Sequence, residues 1–242
     1  MPSLTRIAAL ILLLIPLPAR AGDMATVEIL GFSADGDVFA FEEYGVQDGS
    51  GFPYANRYYI DTATDSFLAG TPVRVRLEED GASLQATRQQ ARQQGEAIVP
   101  GDELNANKGH TAGWNAVTEL TANPHLMAVL PQPAMSPLSA QDPLAFSLEE
   151  ISLQGQEFCS DFGQTMGFKL LRLGTAEGQE AQMIHADSGI PSSRGCPLAY
   201  AIAGVQTFYP PSGTPVFAVM IAIEAVGFEG SDYHFIAVTG RL

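Results

Sequence analysis

Histidine, serine, cysteine and paired acids are the side chains that could do chemistry here, and their spacing limits what that chemistry could be. His110, His125, His185 and His234 are scattered along the 242 residues. With no His-Glu-x-x-His run and no close histidine pair, a zinc centre would need distant residues to converge. The segment HADSGIPSSRG, His185 to Gly195, brings His, Asp and Ser close in sequence. Polar runs of this kind are ordinarily loops, and a triad needs a convergence in space that spacing alone does not supply. Ser50 lies in Gly49-Ser50-Gly51, without the Gly-x-Ser-x-Gly elbow or the strand-to-helix context of a hydrolase nucleophile. The acid pairs Glu42-Glu43 and Glu149-Glu150 fall in strand-like runs. Neighbours on a strand point to opposite faces, the wrong geometry for a two-carboxylate glycosidase pair within one strand. No catalytic residue is assigned.

Asp35, Asp37 and Asp48, with the Gly-rich loop Asp48 to Gly51, raise calcium. Calcium takes six to eight oxygens, and the acidic spacing of an EF-type loop, closed by a Glu, is missing. Asp-Gly turns serve the backbone on their own account, so no cofactor is expected, calcium being the one these residues suggest. Tyr44, Asp48, Phe52, Tyr54, Tyr58 and Trp114 combine aromatic faces with polar neighbours and flexible backbone. Loops on a rigid β-scaffold are where binding usually sits, so these six form a possible binding loop; covering the ends of a sheet is the plainer role for each. Cys159 and Cys196 are the only cysteines. In an oxidising compartment two lone cysteines pair, and their spacing excludes a Cys-x-x-Cys redox site, so the expected bond is a structural staple.

The compartment is read from the first residues. A short basic opening ends at Arg6, an apolar run follows from Ile7 to Leu17, and Ala19-Arg20-Ala21 supplies a small-x-small cleavage site. That order describes a Sec-type signal peptide cleaved after Ala21. As a helix the run covers about 16 Å, roughly half of a ~30 Å hydrocarbon core, too short for an anchor. No membrane insertion is therefore expected after cleavage, and the destination is the periplasm or the exterior. The chain carries 27 acidic and 12 basic residues, net −15, and loses Arg6 and Arg20 with the leader. So acidic a surface repels phosphate backbones and anionic headgroups, which disfavours nucleic acid and membrane surfaces as partners.

The elements that must position these groups are mostly strands. A single β-rich domain is expected over 22–242, in three zones. In the first, 26–79, TVEILGF and VFAFEEY flank an Asp35-Gly36 turn, a strong hairpin signal. Phe39 and Phe41 share one face of the second strand, and Val38, Ala40, Glu42 and Tyr44 the other. NRYYID and SFLAG form a second hairpin, and PVRVRLE a fifth strand with Val73 and Val75 opposite Arg74 and Arg76. In the second zone, 80–143, GASLQATRQQARQQGEAI predicts one surface helix, with a thin stripe at Leu84, Ala91 and Ile98. A long Pro-rich connection follows, including Pro137. In the third, 144–242, six runs read as strands, and PVFAVMIAIEAV is so apolar that it should be the buried central one. Val27–Phe41 and Ile223–Val238 echo each other, but a single pair does not establish a repeat.

The fold class that follows is mainly β: antiparallel sheets as a sandwich or barrel-like arrangement, with a blade-like N-terminal segment and one surface helix. The alternative is a small β-propeller, since FSADGDVFAFE is similar to the start of a blade in TolB-like and WD-type propellers. A propeller needs that pattern to recur in at least four blades, and only one full unit is present. GDVFAFEEYGVQDGSGFPYANRYYID, with the leader and GFEGSDYHFIAVTG, resembles an uncharacterised family of predicted secreted bacterial proteins, a domain of unknown function; YGVQDGSGFPYA is the most specific part. The resemblance implies export and carries over no catalytic residue. The functional expectation is an exported, soluble, non-catalytic β-domain that binds a protein or envelope component. The alternative is a periplasmic hydrolase assembled from distant residues around His185 and the Gly45–Tyr54 loop.

Overall fold

In this computed structural model residues 22–116, 118–133 and 142–242 are described. The expected leader and Pro137 lie outside them. Thirteen strands are described, in three antiparallel sheets. The N-terminal sheet comprises β1 (Thr26–Phe32), β2 (Val38–Val46), β3 (Pro53–Asp61), β4 (Ser66–Phe67) and β5 (Val73–Arg76), the last two both pairing with β3. Helices α1 (Leu84–Gly95) and α2 (Gly101–Ala106) follow. The central sheet has the order β13-β12-β11-β6, from β6 (His110–Trp114), β11 (Pro197–Phe208), β12 (Val216–Val226) and β13 (Ser231–Arg241). The outer sheet has the order β10-β9-β8-β7, from β7 (Leu126–Val129), β8 (Leu144–Ser152), β9 (Met166–Leu173) and β10 (Gln182–Ala186).

Strand alternation dictates how these sheets stack. On β12, Val216, Ala218, Met220 and Ala222 face the N-terminal sheet, where they meet Phe39, Phe41, Tyr58 and Ile60. The intervening Phe217, Val219, Ile221 and Ile223 face the outer sheet and meet Phe146, Leu148, Phe168 and Leu170. A strand covered on both faces has no polar positions to alternate with, which is why this segment reads as a continuous apolar run. The third cluster packs Ala40, Ala55, Tyr59, Val73 and Val75, on the far face of the N-terminal sheet, against Ala91, Val99 and Leu104. The layers therefore run helices, N-terminal sheet, central sheet, outer sheet. Among the described residues no barrel closes, and the blade-like segment lies face to face with the central sheet instead of radiating from an axis.

The expected face assignments on β2 and β5 hold, and so does the Asp-Gly turn. Gly36 takes φ +80°, and Asp35 Oδ1 accepts from the Ser33 hydroxyl and the Asp37 amide at 2.6 and 3.0 Å. Three expectations for residues 80–143 are corrected. A second helix is present, and the connection contains β6 and β7, which attach to β11 and β8. The face that α1 buries is Thr87, Ala91 and Gly95, not the stripe Leu84, Ala91, Ile98. Small residues four apart let the helix sit close to the sheet, and a Cβ at Gly95 would collide with the Tyr59 hydroxyl. The internal echo corresponds to two hairpins in different sheets. Their Gly-Phe pairs serve different ends, Gly31 at a bulge in β1 and Gly227 in the turn after β12.

Candidate functional site

The open margins of all three sheets meet along β13. Between them lies a cleft of about 470 Å³, bordered by Glu43, Tyr58, Asp65, Arg74, His185 and Arg194 and floored by the backbone edge from His234 to Val238. A second depression of about 730 Å³ shares Asn56, Arg74 and His234 with it and extends to Asp23, Asp48, Tyr54 and Phe228. A larger groove, about 920 Å³, runs between α1 and α2, but its most buried charges are paired with one another. There Glu42 is fully buried and ion-paired to Arg57 at 2.6 Å and to Arg88, which also pairs with Glu28. The seam between the sheets is the more specific site, because there polar groups from separate layers point into one space.

Glu43 occupies that space because it follows Phe39 and Phe41 on the inward face of β2. Its Oε1 accepts from Asn56 Nδ2 at 3.1 Å and from the Tyr58 hydroxyl at 2.6 Å. Its Oε2 accepts the Phe235 amide of β13 at 3.0 Å, with His234 Nδ1 3.9 Å away. Nearby, the Tyr54 hydroxyl donates to Asp23 Oδ1 at 3.1 Å. Burial pushes the Asp23 carboxyl above the usual range, against the Tyr54 hydrogen bond that pulls it down. Burial, followed by the neighbouring acids, also drives the Tyr54 and Tyr58 hydroxyls well above the ordinary tyrosine value, so both act as donors.

His185 closes the other end. Its Nε2 lies 3.1 Å from Asp187 Oδ1 and its Nδ1 3.8 Å from Asp65 Oδ2, while its ring stacks on Phe168. Burial alone would lower its pKa, but hydrogen bonds and charge from Asp187 and Asp65 outweigh it and raise the imidazole to about 9. Asp187, which burial would raise, is pulled down to about 2 by His185, by Arg194 at 2.7 Å and by the Phe168 amide. Asp65 also accepts the Thr239 amide of β13 at 2.7 Å. A cationic imidazole therefore ties the N-terminal sheet to the outer sheet across the margin of the central one.

The six residues of the expected binding loop are not brought together. Tyr54 and Tyr58 are buried between sheets. Tyr44 faces the helices, with the Arg88 guanidinium 3.7 Å above its ring. Trp114 is 41% exposed on β6, at the far margin of the central sheet, where it covers Gly204. Asp48 lines the second depression, its Oδ1 accepting from the Gly49 amide at 2.9 Å, and Phe52 is half-buried in the same loop. The pair inside HADSGIPSSRG does form, but Asp187 turns His185 toward an ion pair. Among the described residues no serine or threonine hydroxyl hydrogen-bonds to a histidine ring, Thr207 reaching only the His110 carbonyl, and no group of three or more His, Cys, Asp or Glu is arranged to hold a metal ion. Cys159 and Cys196 form a disulfide-capable pair with sulfurs 2.03 Å apart, beside the loop that carries Arg194. Glu43, Asp65, Arg74 and Arg194 were missed by sequence reasoning. The one local signal was that Glu43 falls in phase with two phenylalanines.

Among the described residues no helix is long and apolar enough to cross a membrane. No curated protein and no solved structure matches the chain. A family model described as "Predicted secreted protein (DUF2259)" matches residues 40–241, a span that runs from within β2 to the end of β13 and contains the disulfide pair and nearly all of the seam. The chain belongs to this family of predicted secreted proteins, a domain of unknown function.

Proposed function

We propose that the protein is an exported, non-catalytic binding module of the periplasm or exterior, recognising a protein or envelope component through the cleft at the sheet seam. One observation carries this reading: the cleft's carboxylates and His185, the groups that could act as proton acceptors, are committed to partners within the protein. A hydrolytic base must be free to take a proton near neutral pH, within reach of the group it activates. His185 is instead held as a cation between two carboxylates, and Glu43 is occupied by three donors. Such an arrangement fixes the walls of a recognition surface. Its mixture of apolar lining and a few oriented polar groups suits ligand binding.

The test is affinity capture from the envelope fraction of the source organism, using the wild-type chain beside a Phe67→Ala/Arg74→Glu variant of equal melting temperature. Capture of one component by wild type, lost in the variant, is the expected result. Hydrolysis of chromogenic ester, amide or glycoside substrates that disappears in His185→Gln or Ser193→Ala would establish the hydrolase instead. Intact-mass analysis of envelope material should give a chain beginning at Gly22. A melting temperature that rises with added calcium would make the module cation-dependent, since a ligand binding only the folded state must stabilise it.

A further inference from the structure

The outward edge of β13 shows a regular sequence of acceptors. The Tyr233 amide donates to the Asp23 carbonyl at 2.7 Å, the Phe235 amide to the Glu43 carboxylate at 3.0 Å and the Thr239 amide to the Asp65 carboxylate at 2.7 Å. Alternate residues of a strand direct their N–H and C=O groups to the same side, so Ala237 faces outward as these three do. It lines the cleft, and among the described residues its amide has no acceptor. Neighbouring outward amides lie about 7 Å apart, so the Ala237 amide sits midway between two that donate to carboxylates of the protein itself.

Charge points the same way. Asp65 and Asp187 are matched by His185 and Arg194, and Glu43 by its hydrogen-bond donors and nearby His234. Arg74, exposed on β5 and lining the cleft, has no ion-pair partner among the described residues. The remaining lining is largely apolar, including Ile60, Phe67, Pro191 and Ile236. We infer that the cleft takes a carboxylate attached to an apolar body, the carboxylate accepting the Ala237 amide with Arg74 as its counter-ion and the apolar part lying on Phe67 and Ile236. This inference rests on reading the cleft as the recognition surface. A volume of about 470 Å³ suits a small organic acid or the last residues of a peptide. Both present the same chemistry.

The experiment is a titration of the ¹⁵N-labelled wild-type chain, followed by amide shifts. One arm uses hexanoate, 3-phenylpropionate and dodecanoate, each beside its neutral alcohol. The other uses N-acetyl-Gly-Gly-Phe as the free acid and as the amide. Expected is a saturable shift of the Ala237 amide with at least one acid, and binding about tenfold weaker for the neutral partner, as for loss of a charge-assisted hydrogen bond. Arg74→Gln should weaken the acid by a similar factor. Ala237→Pro should do so too, because proline is tolerated on an edge strand whose N–H faces away from the sheet. Should that variant not fold, Arg74→Gln and the neutral analogues still decide. Which arm responds identifies the source, free acid or peptide terminus. Equal binding of acids and neutral analogues in the cleft would overturn the carboxylate inference while leaving the cleft as a binding surface. Acid binding indifferent to Arg74→Gln, or no shift at Ala237 with any acid, would overturn it as well, and envelope capture judges the broader reading separately.

Discussion

Replacing His185 by glutamine should remove a pH dependence that the wild-type fold owes to one imidazole. In the native chain that ring spans Asp65 and Asp187 and titrates at about 9 instead of the ordinary 6.5. At about 1.4 kcal/mol for each tenfold gain in proton affinity, the rise corresponds to at most ~3 kcal/mol of folding free energy. The side chain keeps 24% of its surface exposed, and screening by water reduces the figure to about 1–2 kcal/mol. Because the native value is the higher one, the stabilisation is complete below pH 6.5, where both folded and unfolded chains hold the proton. It fades as pH rises through 9, where the folded chain gives the proton up. For a chain of this size that is a loss of about 2–8 °C in melting temperature. Chemical denaturation of wild type and His185→Gln in parallel from pH 6 to 10 measures it, and taking the difference cancels groups common to both. The gap between the two should narrow steadily from pH 6.5 upward. A gap that stays constant across that range would refute the clasp.

Glu42→Ala should cost about 3–5 kcal/mol by thermal or urea unfolding, because it strands the buried Arg57 guanidinium without its counter-ion. Tyr59→Phe should be neutral or slightly stabilising, since the fully buried hydroxyl makes no hydrogen bond although Arg57 lies alongside. Reducing the Cys159–Cys196 pair, or replacing both by serine, should lower stability by about 2–4 kcal/mol, given the 37-residue separation the bridge closes. Below pH 4 the wild-type chain should weaken progressively towards pH 2. Asp187 is held at about 2 in the folded state, so its contribution survives until acid protonates it, and Asp187→Asn should flatten that limb of the curve.

Part of this architecture is legible in the chain alone, because it rests on local periodicity. Phe39 and Phe41 in phase on β2, Val73 and Val75 against Arg74 and Arg76 on β5, and the unbroken apolar run of β12 each declare a face before any partner is known. The Asp35-Gly36 turn and the helix from Leu84 follow from backbone preferences of a few consecutive residues. A leader sequence and two lone cysteines set the expected compartment in the same local way. β6 and β7 could not be found so, since HTAGW and LMAV carry little pattern and are strands only because β11 and β8 offer them an edge. Nor could the second helix, six residues long, which is held by Leu104 packing against the N-terminal sheet.

The site belongs almost wholly to the tertiary level. Sequence determined that Glu43 points inward, but not what it would meet, and a carboxylate among aromatic residues reads there as a misfit. Stacking the central sheet against the N-terminal one brings the Phe235 amide to it from 192 residues away. The outer sheet brings His185 within reach of Asp65 across 120 positions. Side-chain period and turn chemistry are properties of neighbours along the chain. Charge pairing and cleft shape depend on distances that exist only after three sheets have been laid over one another, which is why the architecture was partly legible in the residues and the cleft was not.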